Sequence, residues 1–193
     1  MLIIEILSNH YTNGWTKTAN NLKKGQGINM KVIFLDVDGV LNSQPDCKAT
    51  KYKMLVGGKG CIGIYKPRVR NLAAIVKATD AKIVLVSSWK DDYISYKQGK
   101  PAHYGKYLRE KLRELDLEIY DTTYYYEPNA GERGTGIKKY LATHQDITDW
   151  VILDDEIFCD YDDIIMEHLV KTSFYYGALD EGHVEKAIKI LNE

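Results

Sequence analysis

Two aspartates that follow an apolar run are the residues of this chain best placed to do chemistry. Residues 32–35 are all apolar, and Asp36, Asp38 and Gly39 come after them. In an extended chain residues i and i+2 point to the same side, so the two carboxyl groups can converge on one small volume. Burying two acids at an apolar strand end is costly unless a cation or a reaction uses them. The pattern therefore indicates a reaction site.

A run of acids follows another apolar segment. Residues 150–153 are apolar, and Asp154, Asp155 and Glu156 come directly after them. Three adjacent carboxylates repel one another, which makes them a poor structural choice unless a cation lies between them. Mg²⁺ is a hard ion that takes oxygen ligands, so this run predicts a magnesium site. The acids at positions 160, 162 and 163 are expected to form a solvated face instead.

The elements that must position these acids alternate along the chain. Apolar runs predict strands at residues 31–35, 82–86, 117–120, 150–153 and 168–172. Helical periodicity lies between them, over residues 67–76 and 104–116, from 137 onward, and after Asp180 as an N-cap. Strand–helix alternation predicts an α/β fold with a mostly parallel five-stranded sheet that is covered on both faces. Chemistry in such a sheet belongs at the strand ends.

The first two motifs resemble those of the haloacid dehalogenase-like (HAD) superfamily of phosphohydrolases. In that superfamily an apolar strand runs into Asp-x-Asp-Gly, as it does here at Asp36, Asp38 and Gly39. The second motif is an apolar strand ending in Ser or Thr, and Ser87 matches it, although a serine in this place, taken alone, is more often a turn or cap residue. The resemblance implies a Rossmann-like three-layer sandwich. An acid at the second aspartate position is typical of the phosphatases of the superfamily.

The third motif departs from the usual pattern of the superfamily. It is usually a lysine near the start of a helix, but Arg133 stands there, and Lys138 and Lys139 lie one turn later. A cation is needed to offset the charges of a nucleophile and a phosphate, and arginine can bind phosphate through two donors. We expect Arg133 to be this cation, with Lys138 or Lys139 as the alternatives.

The fourth motif is an apolar strand followed by paired acids, which Asp154 and Asp155 match. The second motif also continues into Ser-Trp and a basic residue, and arginine occupies the third. This finer pattern is similar to the HAD domains of multi-domain RNA-repair proteins. The four motifs occur in the superfamily's order over residues 31–155, so the resemblance covers most of the chain.

The resemblance implies a role for each of these residues. Asp36 would attack phosphorus and become an aspartyl phosphate, while Asp38 would protonate the leaving oxygen and then deprotonate a water. Ser87 and Arg133 would hold the other phosphoryl oxygens. Mg²⁺ would be bound by Asp36, the backbone carbonyl of Asp38 and Asp155, with Asp154 in support. The residues expected to contact the substrate around them are Ser88, Trp89, Lys90 and Lys138.

The site is expected to be open, with a minimal cap. Residues 54–64 predict a small hairpin flap, and only a helix and a strand separate the second motif from the third. Residues 48–70 contain seven basic residues and no acid, with tyrosines at positions 52 and 65. Lysines can follow a phosphate backbone while aromatic rings stack on bases, which favours a nucleic-acid end as substrate. The alternative is a solvated basic flap.

We therefore predict a Mg²⁺-dependent phosphomonoester hydrolase that acts through an aspartyl phosphate, with a nucleic-acid terminal phosphate as a candidate substrate. One alternative is a nucleotidase or a broad small-molecule phosphatase, and another is a catalytically silent module that binds phosphate. No obligate protein partner is evident.

Length and composition set the remaining expectations. The 193 residues fit one domain at 30–193, preceded by an extension of uncertain role at 1–29. A net charge of -1 gives no global field that would attract nucleic acid or a membrane. Three cysteines without C-x-x-C spacing predict free thiols and no zinc site. No apolar run approaches the roughly 20 residues that span a bilayer, and free thiols favour a reducing compartment, so we expect a cytoplasmic protein.

Overall fold

The computed structural model describes residues 29–50, 63–123 and 133–193, apart from the side chains of 48–50. Within these ranges five strands form one sheet: β1 (Met30–Leu35), β2 (Lys82–Leu85), β3 (Ile119–Thr122), β4 (Ile147–Asp154) and β5 (Leu169–Lys171). The helices there are α1 (Gln44–Thr50), α2 (Lys66–Thr79), α3 (Lys90–Lys97), α4 (His103–Arg113), α5 (Arg133–Thr143), α6 (Asp163–Glu167) and α7 (Glu181–Ile190). The predicted flap falls mostly on residues 51–62, outside the described residues.

The strand order is β3-β2-β1-β4-β5, and every neighbouring pair is parallel. Helices cover both faces, so the predicted three-layer α/β fold is confirmed. Side chains of β1 alternate between two apolar clusters, with Ile33 and Leu35 on one face and Val32 and Phe34 on the other. All four are fully buried. Burial of one such side chain contributes about 1.5–3 kcal/mol, which anchors the central strand from both sides.

The register of the three central strands brings their carboxyl ends to the same level. Leu35 of β1 lies beside Leu85 of β2 and beside Leu153 of β4. The residues that follow these leucines are therefore neighbours at one edge of the sheet, although they are far apart in the sequence. This edge is where the sequence motifs predict a site.

Several boundaries differ from the predicted ones for local reasons. Strand β3 begins two residues later than predicted, because the Leu117 amide donates to Leu112 and Asp116 turns through a φ of 58°. Helix α5 begins at Arg133 rather than at 137. Gly134 and Gly136 have no side chains, so the apolar periodicity that predicts a helix is absent from its first turn. Helix α3 was not predicted from its charged and tyrosine-rich sequence.

The N-cap prediction for the last helix is confirmed. Asp180 accepts a hydrogen bond from the His183 amide, and the His183 side chain returns to the Asp180 amide as a capping box. The prediction of three reduced thiols is wrong for Cys47, which is disulfide-bonded, whereas Cys159 is exposed and forms no disulfide.

Among the described residues, no helix combines the length and the apolar character that crossing a bilayer requires.

Candidate active site

Asp36 lies at the centre of the site, directly after β1. Its amide donates to Leu153 of β4 at 3.0 Å, and the residue is almost completely buried. Burial raises the pKa of the Asp36 carboxyl to about 8; the Arg133 charge opposes this shift, and the Asp154 charge adds to it. A carboxyl that is buried among other acids is expensive to ionise without a compensating cation.

Three carboxylates from two neighbouring strands meet at this edge. Asp36, Asp154 and Asp155 each place an oxygen within 4.8 Å of those of the other two. Asp154 is fully buried, and the pKa of the half-buried Asp155 is raised by burial and then by the charge of Asp154. An all-oxygen set with excess negative charge fits a hard divalent cation such as Mg²⁺.

Arg133 is the cation that the structure brings to these acids. Its Nη1 lies 3.2 Å from Asp36 Oδ1 and also contacts Asp154, while the guanidinium sits 4.3 Å from the centre of the Phe158 ring. Burial by itself lowers the pKa of Arg133, but the charges of Asp36 and Asp154 outweigh it, so the pKa is raised. One side chain thus pairs with acids from two strands.

The two lysines named as alternatives lie elsewhere on α5. Lys138 forms an ion pair with Asp162 at 2.8 Å, on the surface, and Lys139 is exposed. The structure therefore does not bring Lys138 to the carboxylates. Asp162 also caps α6, and the Oδ2 of Asp160 accepts from the Thr135 amide in the first turn of α5, so these two acids have structural partners.

Asp154 is surrounded by donors besides Arg133. The Tyr161 hydroxyl donates to its Oδ2 at 3.2 Å, and the Glu156 amide donates to its Oδ1 at 2.9 Å. Burial and the nearby Asp154 charge raise the pKa of the Tyr161 hydroxyl, which keeps it a donor. Sequence reasoning missed Tyr161, because it lies in a loop at no recognisable motif spacing.

The second aspartate, Asp38, is held by two side chains. Asn42 Nδ2 donates to its Oδ1 at 2.8 Å, and Trp89 Nε1 donates to its Oδ2 at 2.8 Å. Trp89 was expected to contact substrate, but its side chain is buried and its polar atom faces Asp38. This geometry favours a positioning role for Trp89. The pairing of Asn42 with Asp38 was not foreseen, although Asn42 belongs to the motif.

The other residues of the second motif surround the same place. Ser87 is buried and its hydroxyl lies close enough to Asp36 to lower the pKa of that carboxyl, whereas the neighbouring Ser88 is exposed. Lys90 is buried at the start of α3, and burial lowers its pKa, with a further lowering by the Arg133 charge. Lys90 therefore lies close enough to the site to feel the Arg133 charge.

Gly39 permits the close approach of the first and fourth motifs. Its φ is +73°, and a Cβ at this position would overlap the side chain of Asp155. The Thr172 hydroxyl, just after β5, donates to the Gly39 carbonyl at 2.7 Å. The turn after Asp38 thus lies against Asp155 at the end of β4 and is hydrogen-bonded to the residue that follows β5.

The basic segment at residues 48–70 is only partly described. Arg68 forms a two-point pair with Asp46 and donates to the Leu179 carbonyl, and Lys66 pairs with Glu114. Both cations have protein partners and do not form an open track. The side chains of the lysines at 48, 51, 53 and 59 lie outside the described residues.

Comparison with known proteins identifies a family for this chain. A family model described as “HAD domain in Swiss Army Knife RNA repair proteins” matches residues 32–183, which is more than half of the chain. The matched range begins in β1 and ends in α7, so it contains every site residue described above. Searches of curated proteins and of solved structures found no significant match.

Proposed function

Because the chain belongs to the family of HAD domains in Swiss Army Knife RNA repair proteins, we propose that it is a Mg²⁺-dependent phosphomonoester hydrolase that acts on terminal phosphates of nucleic acids. The membership confirms the resemblance in the sequence motifs. The observation that carries the proposal is that a carboxylate, a hydroxyl and a guanidinium meet at Asp36.

Asp36 acts as the nucleophile in this proposal. Its carboxylate oxygen bonds to phosphorus while the bond from phosphorus to the leaving oxygen breaks, which gives an aspartyl phosphate. Asp38 gives its proton to the leaving oxygen and then, as a carboxylate, takes a proton from a water. The water oxygen bonds to phosphorus while the bond from phosphorus to the Asp36 oxygen breaks, which releases inorganic phosphate and restores the Asp36 carboxylate.

Ser87 and Arg133 hold the phosphoryl group during both steps. Both side chains contact Asp36, so their donors lie beside the position that phosphorus must reach. Phosphoryl transfer depends mostly on positioning and charge neutralisation, which are what a buried hydroxyl and a guanidinium provide. Loss of one such donor is expected to lower the rate about 10- to 1000-fold.

Asp36 and Asp155 are the proposed direct ligands of Mg²⁺, and Asp154 supports them. Asp154 already accepts from Arg133, Tyr161 and Glu156, whereas Asp155 is more open. When bound, the ion supplies positive charge that offsets the repulsion between these acids and a phosphate. The family resemblance adds the backbone carbonyl of Asp38 to this set.

Phosphate release tests the proposal. The full chain is incubated with single-stranded hexaribonucleotides bearing a 5′- or a 3′-phosphate, with mononucleotides, and with glycerol phosphate, each in Mg²⁺ or in EDTA. Wild type should release phosphate only with the metal, and Asp36→Asn should release none. Asp80→Asn is the matched control, because Asp80 is exposed at the left-handed C-cap of α2, a conformation that asparagine tolerates.

Each outcome supports one of the candidate functions over the others. Higher kcat/KM for the hexaribonucleotides than for mononucleotides supports the nucleic-acid substrate. The reverse order identifies a nucleotidase or a small-molecule phosphatase. Equal phosphate release by wild type and Asp36→Asn would falsify the nucleophile, and binding without release by either protein would indicate a silent phosphate-binding module.

A further inference from the structure

Two neighbouring tyrosines near the site are unusually open to solvent. The exposed fraction is 67% for Tyr175 and 94% for Tyr176. Tyrosine carries a large apolar ring, and such rings are usually at least half covered in a folded protein. Isolated exposed rings need no explanation, but two adjacent ones at one place form a surface that a partner can cover.

These rings stand on a hydrogen-bonded turn formed by residues 173–177, here named the tyrosine turn. Ser173 and Gly177 exchange two backbone hydrogen bonds of 3.2 Å, and the Tyr176 amide donates to the Ser173 hydroxyl at 3.2 Å. Gly177 closes the turn with a φ of +138°. A ring on a preformed turn loses little backbone freedom when it binds a partner, which favours a binding role.

The tyrosine turn is joined directly to the acid cluster. The Thr172 amide, just before the turn, donates to the Asp154 carbonyl at 2.9 Å, and the Phe174 carbonyl accepts from the Gln44 amide at 2.8 Å. The Phe174 backbone also lies close enough to the Asp155 carboxyl to lower its pKa. Thr172, which precedes the turn, bonds to Gly39. Consecutive Cα atoms are about 3.8 Å apart, so Tyr175 lies within three such steps of Thr172, which is hydrogen-bonded to Asp154.

The short spacing restricts what the rings can contact. The backbone connection through Thr172 favours a group that lies next to a phosphate bound at Asp36, and stacking on the rings requires a flat face. A nucleotide meets both conditions, because every base has a π-face and is joined to its phosphate through one sugar. A phosphopeptide would meet them only when an aromatic residue happens to flank its phosphate. Lys171 at the base of the turn adds a positive charge that suits a phosphate backbone.

We propose that the tyrosine turn is a base-stacking subsite that receives the nucleotide at or next to the terminal phosphate. The inference rests on the proposed function, since it assigns the part of the protein that distinguishes a nucleic-acid end from a small phosphoester. Stacking accepts any base, so the subsite selects for a nucleotide and not for a sequence.

The test compares two substrates across matched variants of the full chain. The ratio of kcat/KM for a phosphorylated hexaribonucleotide to that for glycerol phosphate, which has no ring, is measured for the 5′- and the 3′-phosphate separately. The variants Tyr175→Leu and Tyr176→Leu should lower this ratio about 5- to 100-fold for at least one of the two ends. Tyr176→Phe and Tyr175→Phe should keep the ratio, because the rings remain. Tyr120→Leu, on the edge strand β3 at the opposite side of the sheet, should leave it unchanged.

A second measurement separates this inference from the proposed function. Binding of the fluorescently labelled hexaribonucleotides to Asp36→Asn is measured by anisotropy, with and without the leucine substitutions. Weaker binding of the leucine variants supports the subsite even when wild type hydrolyses nothing, which would defeat only the proposed function. Hydrolysis by wild type with an unchanged ratio and unchanged binding overturns the subsite alone. An equal loss for a phosphoserine hexapeptide also overturns the assignment to nucleotides.

Discussion

At the scale of single residues, the carboxylate of Asp38 has a donor on each oxygen, Asn42 on one and the Trp89 indole on the other. These donors fix the direction in which the carboxyl faces. Asn42 also accepts a hydrogen bond from the Gly39 amide at 3.0 Å, so residues of the same turn hold the Asp38 carboxylate in place. A group that transfers a proton must lie within hydrogen-bond reach of the atom that receives it. The orientation of Asp38 is therefore set by residues that need not touch the substrate.

Trp89→Phe tests this positioning, because phenylalanine keeps the ring and removes the indole N–H. Proton transfer to the leaving oxygen matters most for poor leaving groups, so the rate on an alkyl phosphate should fall about 10- to 100-fold. The rate on 4-nitrophenyl phosphate, whose leaving group needs little protonation, should fall much less. Steady-state rates on both substrates measure the difference. Trp150→Phe, in the cluster on the other face of the sheet, is the control. An equal loss on both substrates would count against positioning.

The raised pKa of Asp36 predicts a pH-dependent stability of the metal-free protein. Between the ordinary value of 3.8 and about 8, the folded protein holds a proton at Asp36 that the unfolded chain releases. The stability gained from this proton is full below the unfolded pKa and is lost as the pH rises toward 8, at no more than about 1.4 kcal/mol per pH unit. In EDTA, the free energy of unfolding of wild type should therefore fall relative to that of Asp36→Asn as the pH rises from 4 to about 8.

Urea unfolding of both proteins at several pH values checks this expectation. Mg²⁺ at pH 8 should stabilise wild type more than Asp36→Asn, since the ion favours the ionised carboxylate. Parallel pH profiles for the two proteins in EDTA would remove Asp36 as the source of the effect.

At the scale of elements, the turn after β1 is where backbone geometry limits the sequence. Gly39→Ala introduces a left-handed alanine and a Cβ that overlaps Asp155. The backbone strain alone costs about 1–2 kcal/mol, and displacement of Asp155 should also weaken binding of Mg²⁺. Gly99→Ala separates the two effects, because Gly99 has a φ of +74° and open space around it.

Calorimetric titration with Mg²⁺ and urea unfolding measure both consequences. Gly99→Ala should lose stability and keep its affinity for Mg²⁺, whereas Gly39→Ala should lose both. If the two variants bind the ion equally well, the overlap with Asp155 has no functional effect.

The elements also show how far the sequence could predict the structure. The core strands and the residues that follow them were predictable, because an apolar run of β1, β2 or β4 and its polar end are adjacent in sequence. Arg133 was identified from its place in the motif order. The hydrogen-bond partners of Trp89 and Tyr161 could not be predicted from the sequence. They depend on how α3 and the loop after β4 fold back over the strand ends.

At the scale of the whole molecule, Arg68 joins the two helices of the first crossover to the segment just before the last helix. Arg68 of α2 binds both carboxylate oxygens of Asp46 in α1 and the Leu179 carbonyl just before α7. Arg68→Met leaves Asp46 without this charge partner in a buried position, which should cost about 3–5 kcal/mol of unfolding free energy. Lys66→Met is the control, since its pair with Glu114 is exposed to solvent and should contribute little to stability.

Urea denaturation of the two variants measures this contrast. Equal losses of stability would mean that the contacts of Arg68 contribute no more than the exposed pair of Lys66 does. A larger loss for Arg68→Met would show that these contacts stabilise the packing of α1 and α2 beside the segment that precedes α7.

The position of β1 in the middle of the sheet has a consequence for how this protein unfolds. Its amides are paired on both sides, and its side chains are buried on both faces. Opening such a strand requires the entire domain to come apart, so its amide protons should exchange with solvent only through global unfolding. Asp36, the proposed nucleophile at its end, should therefore not unfold locally while the rest of the domain stays folded. Under denaturing stress, catalytic competence and the native fold should disappear in a single transition.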